Sequence, residues 1–243
     1  MQPFLIALQF LSCLPVRLNG MPAPEVVGRS LLHYPLVGLL MGGVLWITSL
    51  VLSEAVVPLQ AALLLAAWVM MTGGLHLDGL ADSADAWLGG FGDRERTLTI
   101  MKDPRSGPIA VVTLVLLLLL KFSAIWALVA QDQRMALLFA PLLGRSALLG
   151  LFMSTPYVRP GGLGQALAEH LPRASVRSVL IVVTVLCLAL GTAGWLALAV
   201  TLGIGVFVRR AMVRRIGGTT GDTAGALLEL VECGVLVVLA LQL

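Results

Sequence analysis

Asp78, Asp82 and Asp85 lie in the run HLDGLADSADA, in a chain with only 13 acidic residues among 243. Their spacing of four and then three residues puts all three on one face of a helix. Carboxylates this close repel one another unless a cation or a shared proton relieves them. Oxygen-only ligands suit Mg²⁺, which typically takes one or two carboxylates and fills its shell with substrate phosphates. The expectation is a Mg²⁺ site at Asp78, Asp82 and Asp85, with Asp82 also acting in catalysis. Gly79 beside Asp78 would let a ligand or another backbone come close. His76, two residues upstream, could orient a substrate or accept a proton. The plain alternative is a solvated acidic helix face.

Two further segments carry groups suited to phosphate. In IMKDPRSGP, Ile100 to Pro108, Pro104 disfavours helix at Asp103 and marks a turn. Lysine and arginine beside a carboxylate make a phosphate clamp next to a metal. Lys102, Arg105 and Gly107 are therefore candidates for substrate binding, and Asp103 or His76 for orienting a nucleophile. Ordinary anchoring of the next membrane span would also account for the basic residues. In GGTTGDTAGA, Gly217 to Ala226, a Gly/Thr-rich loop runs into a helix start, where free N–H groups bind anions. Gly218, Thr220 and Gly221 are candidates there. Asp222 is either a helix cap or a further metal ligand. No GxxxxGK[ST] phosphate loop occurs.

The elements that must position these residues are membrane helices. The chain is 58% hydrophobic and 12% charged, with several apolar runs of the ~20 residues needed to cross a bilayer. The expected fold is all-α, one polytopic integral membrane helix bundle over 1–243 with about seven spans. These are Leu31–Leu52, Val56–Leu77, Ile109–Val129, Met135–Met153, two within Ser175–Arg214 turning at Gly191–Gly194, and Thr223–Leu243. Residues 1–16 are expected to form an interfacial or re-entrant helix, 78–108 an acidic catalytic loop and 209–222 an Arg/Gly-rich loop.

With a cytoplasmic N-terminus, 13 of the 16 basic residues fall on the inner side, all but Lys121, Arg134 and Arg145. Both special loops then face the cytoplasm. Lys121 and Arg145 lie inside spans, where charge normally faces a partner or a cavity. With Glu229 and Glu232 they would line a polar cavity behind the site and touch substrate, or form structural pairs. Gly38, Gly42 and Gly43 permit close helix packing. Cys13, Cys187 and Cys233 read as small buried hydrophobes. A net charge of +3 gives no footprint for nucleic acid.

Taken together, these blocks resemble the cobalamin synthase family, the adenosylcobinamide-GDP ribazoletransferases, over essentially the whole length. The resemblance rests on FLSCLPV, YPLVGLLMGG, GGLHLDGLADSADAW, IMKDPRSGP, the Lys121 position, GRS at Gly144 to Ser146, and GGTTGDTAGA. It implies joining of adenosylcobinamide-GDP to α-ribazole, or to its 5′-phosphate, giving adenosylcobalamin or its 5′-phosphate and GMP. It also implies Mg²⁺ and the cytoplasmic membrane of a prokaryote. Self-association, or a complex with other cobalamin-pathway enzymes, is compatible with it.

Three competing readings fit less well. A CDP-alcohol phosphotransferase motif begins similarly at Asp78-Gly79, but its later DxxxD does not follow at the expected distance. An aspartate-motif prenyltransferase would need a second such motif. A transporter would be expected to show internal repeats and a midplane site, and neither is evident.

Overall fold

The computed structural model of the chain describes residues 1–243 apart from Asn19 and Leu163. The described residues form twelve α-helices: α1 (Gln2–Leu11), α2 (Pro24–Ser30), α3 (Tyr34–Val51), α4 (Val57–Thr72), α5 (Leu75–Gly89), α6 (Arg94–Ile100), α7 (Pro108–Ala130), α8 (Ala136–Ser154), α9 (Gln165–Glu169), α10 (Arg173–Ala189), α11 (Thr192–Ile216) and α12 (Gly221–Ala240). A 3-10 turn, Leu31–His33, joins α2 to α3. Proline opens α2, α3, α4 and α7, at positions where a missing N–H leaves no bond unmade.

The all-α membrane bundle expected from composition is what forms. Five segments are long and apolar enough to cross a bilayer: Pro24–Val51, α7, α8, α11 and α12. A sixth is reached if α4 and α5 are one broken span. Seven were expected, and α10 makes much of the difference: it has 17 residues and begins with Arg173, with Arg177 one turn on. Side chains such as Val112, Val115, Leu116 and Leu119 on α7, and Ile181, Val182 and Val185 on α10, are exposed. Apolar surface this continuous is suited to lipid. α8 and α12 form the interior and are buried along most of their lengths. Gly42 lets α3 approach α8 so closely that a Cβ there would lie 2.7 Å from the Leu137 carbonyl oxygen, and Gly38 does the same against Pro141. Gly43 faces open space and takes no part in this seam.

Three expected boundaries move. The second span ends at Thr72, not Leu77, because Gly73 and Gly74 both take left-handed φ values of 62° and 72°. There the chain bends by 87° into α5. α5 carries the aspartates and belongs to the polar head of the bundle. Segment 78–108 is then mostly helix, α5 and α6, and the three aspartates lie on the helix their spacing predicts. Arg209–Arg215 extend α11, which leaves only Gly217–Thr220 as loop. The α10–α11 turn shrinks to Leu190–Gly191, with Gly191 at φ 74°, while Gly194 already lies in α11, against the Cys187 carbonyl. α1 has ten residues, too few to cross a membrane.

Candidate active site

Two glycines build the site by letting α5 cross α12 in backbone contact. A Cβ on Gly79 would lie 2.8 Å from the Asp222 carbonyl oxygen, and one on Gly225 would lie 3.3 Å from His76 Cα. The start of α12 therefore sits on α5 between Asp78 and Asp82. Four carboxylates share one electrostatic field here. The Asp82 carboxyl is pushed up to about 6, first by burial, then by Asp78, Asp222 and Asp85, with Arg159 opposing. No side-chain hydrogen bond engages Asp78 or Asp82 among the described residues.

Asp85 and Asp222 are already engaged. Asp85 Oδ2 accepts the Gly107 N–H at 2.5 Å and Oδ1 accepts the Ala110 N–H at 3.0 Å. It thus satisfies two of the open donors at the start of α7. A Cβ on Gly107 would collide with this carboxylate at 2.8 Å. Gly107 serves Asp85 and its N–H is not free for phosphate. Asp222 Oδ2 accepts from Arg159 Nη1 at 2.5 Å. Arg159 is held there by a short parallel bridge: the Val158 N–H donates to the Thr219 carbonyl and the Thr219 N–H to the Pro156 carbonyl, both at 2.9 Å.

The expected phosphate loop is mostly occupied with its own structure. Thr220 is fully buried and caps α12, its Oγ1 accepting the Thr223 N–H at 3.2 Å while the Thr223 hydroxyl accepts the Thr220 N–H at 2.9 Å. Gly218 is buried against the Pro156 carbonyl. Gly221 remains exposed at the helix start. In the 102–107 turn, Arg105 forks onto Asp103 with contacts of 3.0 and 2.9 Å. Hydrogen bonding from Arg105 holds the Asp103 carboxyl below the usual range. Both residues and Lys102 lie toward solvent and make no direct contact with the aspartate cluster. The turn is tied to the site through Met101, whose Sδ accepts from the Thr220 hydroxyl at 3.2 Å.

His76 is buried and lines a cavity of about 100 Å³ shared with Asp78, Gly79 and Asp222, and its Nδ1 has no hydrogen-bond partner among the described residues. Burial, then Arg145 and Lys121, push its pKa well down and leave it neutral.

No three His, Cys, Asp or Glu side chains among the described residues converge as a ready-made metal cage. This donor set nevertheless fits Mg²⁺, which is usually held by one or two carboxylates and completed by substrate phosphates. Asp78 and Asp82, whose side chains make no hydrogen bond among the described residues, are the two that would be available for it.

The family model described as cobalamin-5-phosphate synthase matches residues 3–240. The chain belongs to this family. It is 68% identical to an adenosylcobinamide-GDP ribazoletransferase of Pseudomonas putida over 243 residues, covering 100% of both chains. A second P. putida strain has a relative of the same name at 67% identity, again with 100% of each chain covered. One from Stutzerimonas stutzeri is 66% identical, over 100% of this chain and 99% of its own. No solved structure matches.

In this cobalamin synthase family member, Lys121 and Arg145 are paired with carboxylates of α12. Lys121 Nζ meets Glu229 Oε2 at 2.6 Å and Glu232 Oε2 at 2.7 Å, and Arg145 Nη1 pairs with Glu232 Oε1. All four side chains are at most 4% exposed. Lys121 and Arg145 thus form the pairing with Glu229 and Glu232 that was the alternative to contact with substrate, while Arg145 Nε and Nη2 have no hydrogen-bond partner among the described residues. Sequence reasoning missed Arg159 as a site residue and counted it only as one of the inner-face arginines. Nothing in YVRPGG, by type or spacing, points to Asp222, 63 residues away.

Proposed function

We propose that the chain joins adenosylcobinamide-GDP to α-ribazole, or to α-ribazole 5′-phosphate, releasing GMP and forming adenosylcobalamin or its 5′-phosphate. The observation that carries the reading is the crossing at Gly79 and Gly225, which gathers Asp78, Asp82 and Asp222 in a chain whose full-length relatives bear the ribazoletransferase name.

The ribazole 3′-hydroxyl forms a P–O bond to the phosphorus on the cobinamide side. The bond from that phosphorus to the GMP oxygen breaks, and the hydroxyl proton is lost. Bound Mg²⁺ would neutralise diphosphate charge and help orient the donor. Asp78 and Asp82 would hold it. Asp222, kept in place by Arg159, sets the far wall of the site. His76 Nδ1, neutral and unpartnered, is available to accept a hydrogen bond from the acceptor and orient it. Lys102 and Arg105, on the rim, would assist as the phosphates enter.

We place this head at the cytoplasmic face of the inner membrane. Arg94, Arg96, Arg159, Arg209, Arg210, Arg214 and Arg215 cluster around it, which the positive-inside rule supports. The test is an assay of purified protein in liposomes with adenosylcobinamide-GDP, α-ribazole and Mg²⁺. Release of GMP together with a cobalamin is expected. Turnover of a lipid alcohol, with none on any corrinoid donor, would overturn the reading.

A further inference from the structure

We infer that the polar cavity beside Arg159 seats the guanosine monophosphate half of the donor. The inference rests on the reaction proposed above. The cavity measures about 610 Å³ and lies between the end of α8 and the start of α10. That volume falls within the ~300–1,000 Å³ typical of small-molecule sites.

Its chemistry is that of a nucleotide pocket. Arg159 and Arg173 bring two guanidinium groups to the wall. Arg159 spends Nη1 on Asp222, which leaves its Nε and Nη2 donors for a phosphate. A phosphate held there would stand next to Asp222 and so at the edge of the aspartate cluster. This is where the leaving half of a diphosphate must lie when the carboxylates serve the other half.

The far rim carries Glu169 and Gln165 on α9. Gln165 Nε2 donates to Glu169 Oε1 at 2.7 Å, and Gln165 Oε1 accepts the Gly161 N–H at 2.7 Å. Gln165 thus fixes the orientation of the Glu169 carboxylate and leaves Oε2 and the second lone pair of Oε1 to accept. Guanine presents two adjacent donors, N1–H and the 2-amino group, which a carboxylate can accept together. Adenine has no such pair. The short α9 is pinned in place because Gly28 of α2 packs directly on the His170 carbonyl. On the other side, the Tyr157–Thr219 bridge fixes the Arg159 segment. The two walls are therefore set independently, one by α2 and one by the loop before α12.

Equilibrium binding of radiolabelled GMP to the full-length protein in nanodiscs, without corrinoid, tests this. GMP should bind, and AMP should compete about tenfold less well. Glu169→Gln should remove most of that preference, and Arg159→Lys should weaken both nucleotides about tenfold. Equal competition by GMP and AMP on the unsubstituted protein would overturn the inference. A second measurement needs no variant: 8-azido-GMP should crosslink within 152–173, and labelling confined to other segments would sink the placement. If cobalamin and GMP form in the liposome assay while the label falls elsewhere, only this placement fails. If no cobalamin forms, the reaction reading beneath it fails as well.

Discussion

The protein holds two groups of charge with opposite fates. Around Lys121 and Arg145, two cations meet Glu229 and Glu232, all four nearly or fully buried. Formal charge balances, and Lys121 also lies 4.7 Å over the Trp68 ring. At the head of the bundle, Asp82 lies in the field of Asp78, Asp85 and Asp222, with Arg159 opposing and paired to Asp222. The first group is balanced in formal charge and ties α7, α8 and α12 together. The second is left with excess negative charge beside an open cavity. The matched cluster joins three helices, and the unmatched one is suited to a cation and phosphates.

The largest effect should come from unbalancing the matched cluster. Glu232→Gln leaves Arg145 and Lys121 under-neutralised in the interior, a loss of about 3–5 kcal/mol. Thermal unfolding in detergent should show a large drop in midpoint or failure to accumulate. A midpoint unchanged from the unsubstituted protein would remove the scaffold role.

At the head, substitutions should cost activity more than stability. Gly79→Ala forces a methyl to 2.8 Å from the Asp222 carbonyl, so α5 and α12 must separate. An activity loss of about 10²-fold is expected from a displacement of about 1 Å. Full activity would show that this crossing does not set the geometry. Asp85→Ala uncaps α7 and should lower stability by about 1 kcal/mol, a value typical of a lost cap. If activity instead disappears with stability intact, Asp85 acts at the metal and not as a cap.

Acidity separates stability from function at Asp82. Its carboxyl sits at about 6 in the folded chain against 3.8 for the free residue. The native state therefore binds the extra proton between these values, and in chelator the fold should become slightly more stable as pH falls through that window. Mg²⁺ needs the deprotonated form, so its binding should weaken over the same interval. Titration of both quantities between pH 4 and 7 checks the opposed signs. Parallel trends would contradict the unbalanced-charge account.

Much of this was legible in the residues. The spacing of Asp78, Asp82 and Asp85 gave the helix face, and composition gave the membrane bundle. Spans were legible where apolar runs are continuous, as in α7, and misjudged where backbone conformation decides, as at Gly73–Gly74. Of the candidate ligands, Asp85, Gly107 and Thr220 proved to have structural partners that no linear spacing discloses. Arg159 was invisible as a site residue because its partner lies across a bridge between distant loops. The Lys121 group was legible as charge in a span, but its neutrality emerged only once α7, α8 and α12 were packed.

The most direct measurement is the Mg²⁺ dependence of cobalamin formation in liposomes by the unsubstituted protein and by Asp82→Asn, at matched amounts and with melting curves for both. Loss of a charged ligand worth several kcal/mol at the transition state predicts turnover lowered by about 100-fold or more, a higher Mg²⁺ requirement and an unreduced melting midpoint. Equal turnover and an identical Mg²⁺ curve for Asp82→Asn would contradict the assignment of the aspartate cluster as the metal site.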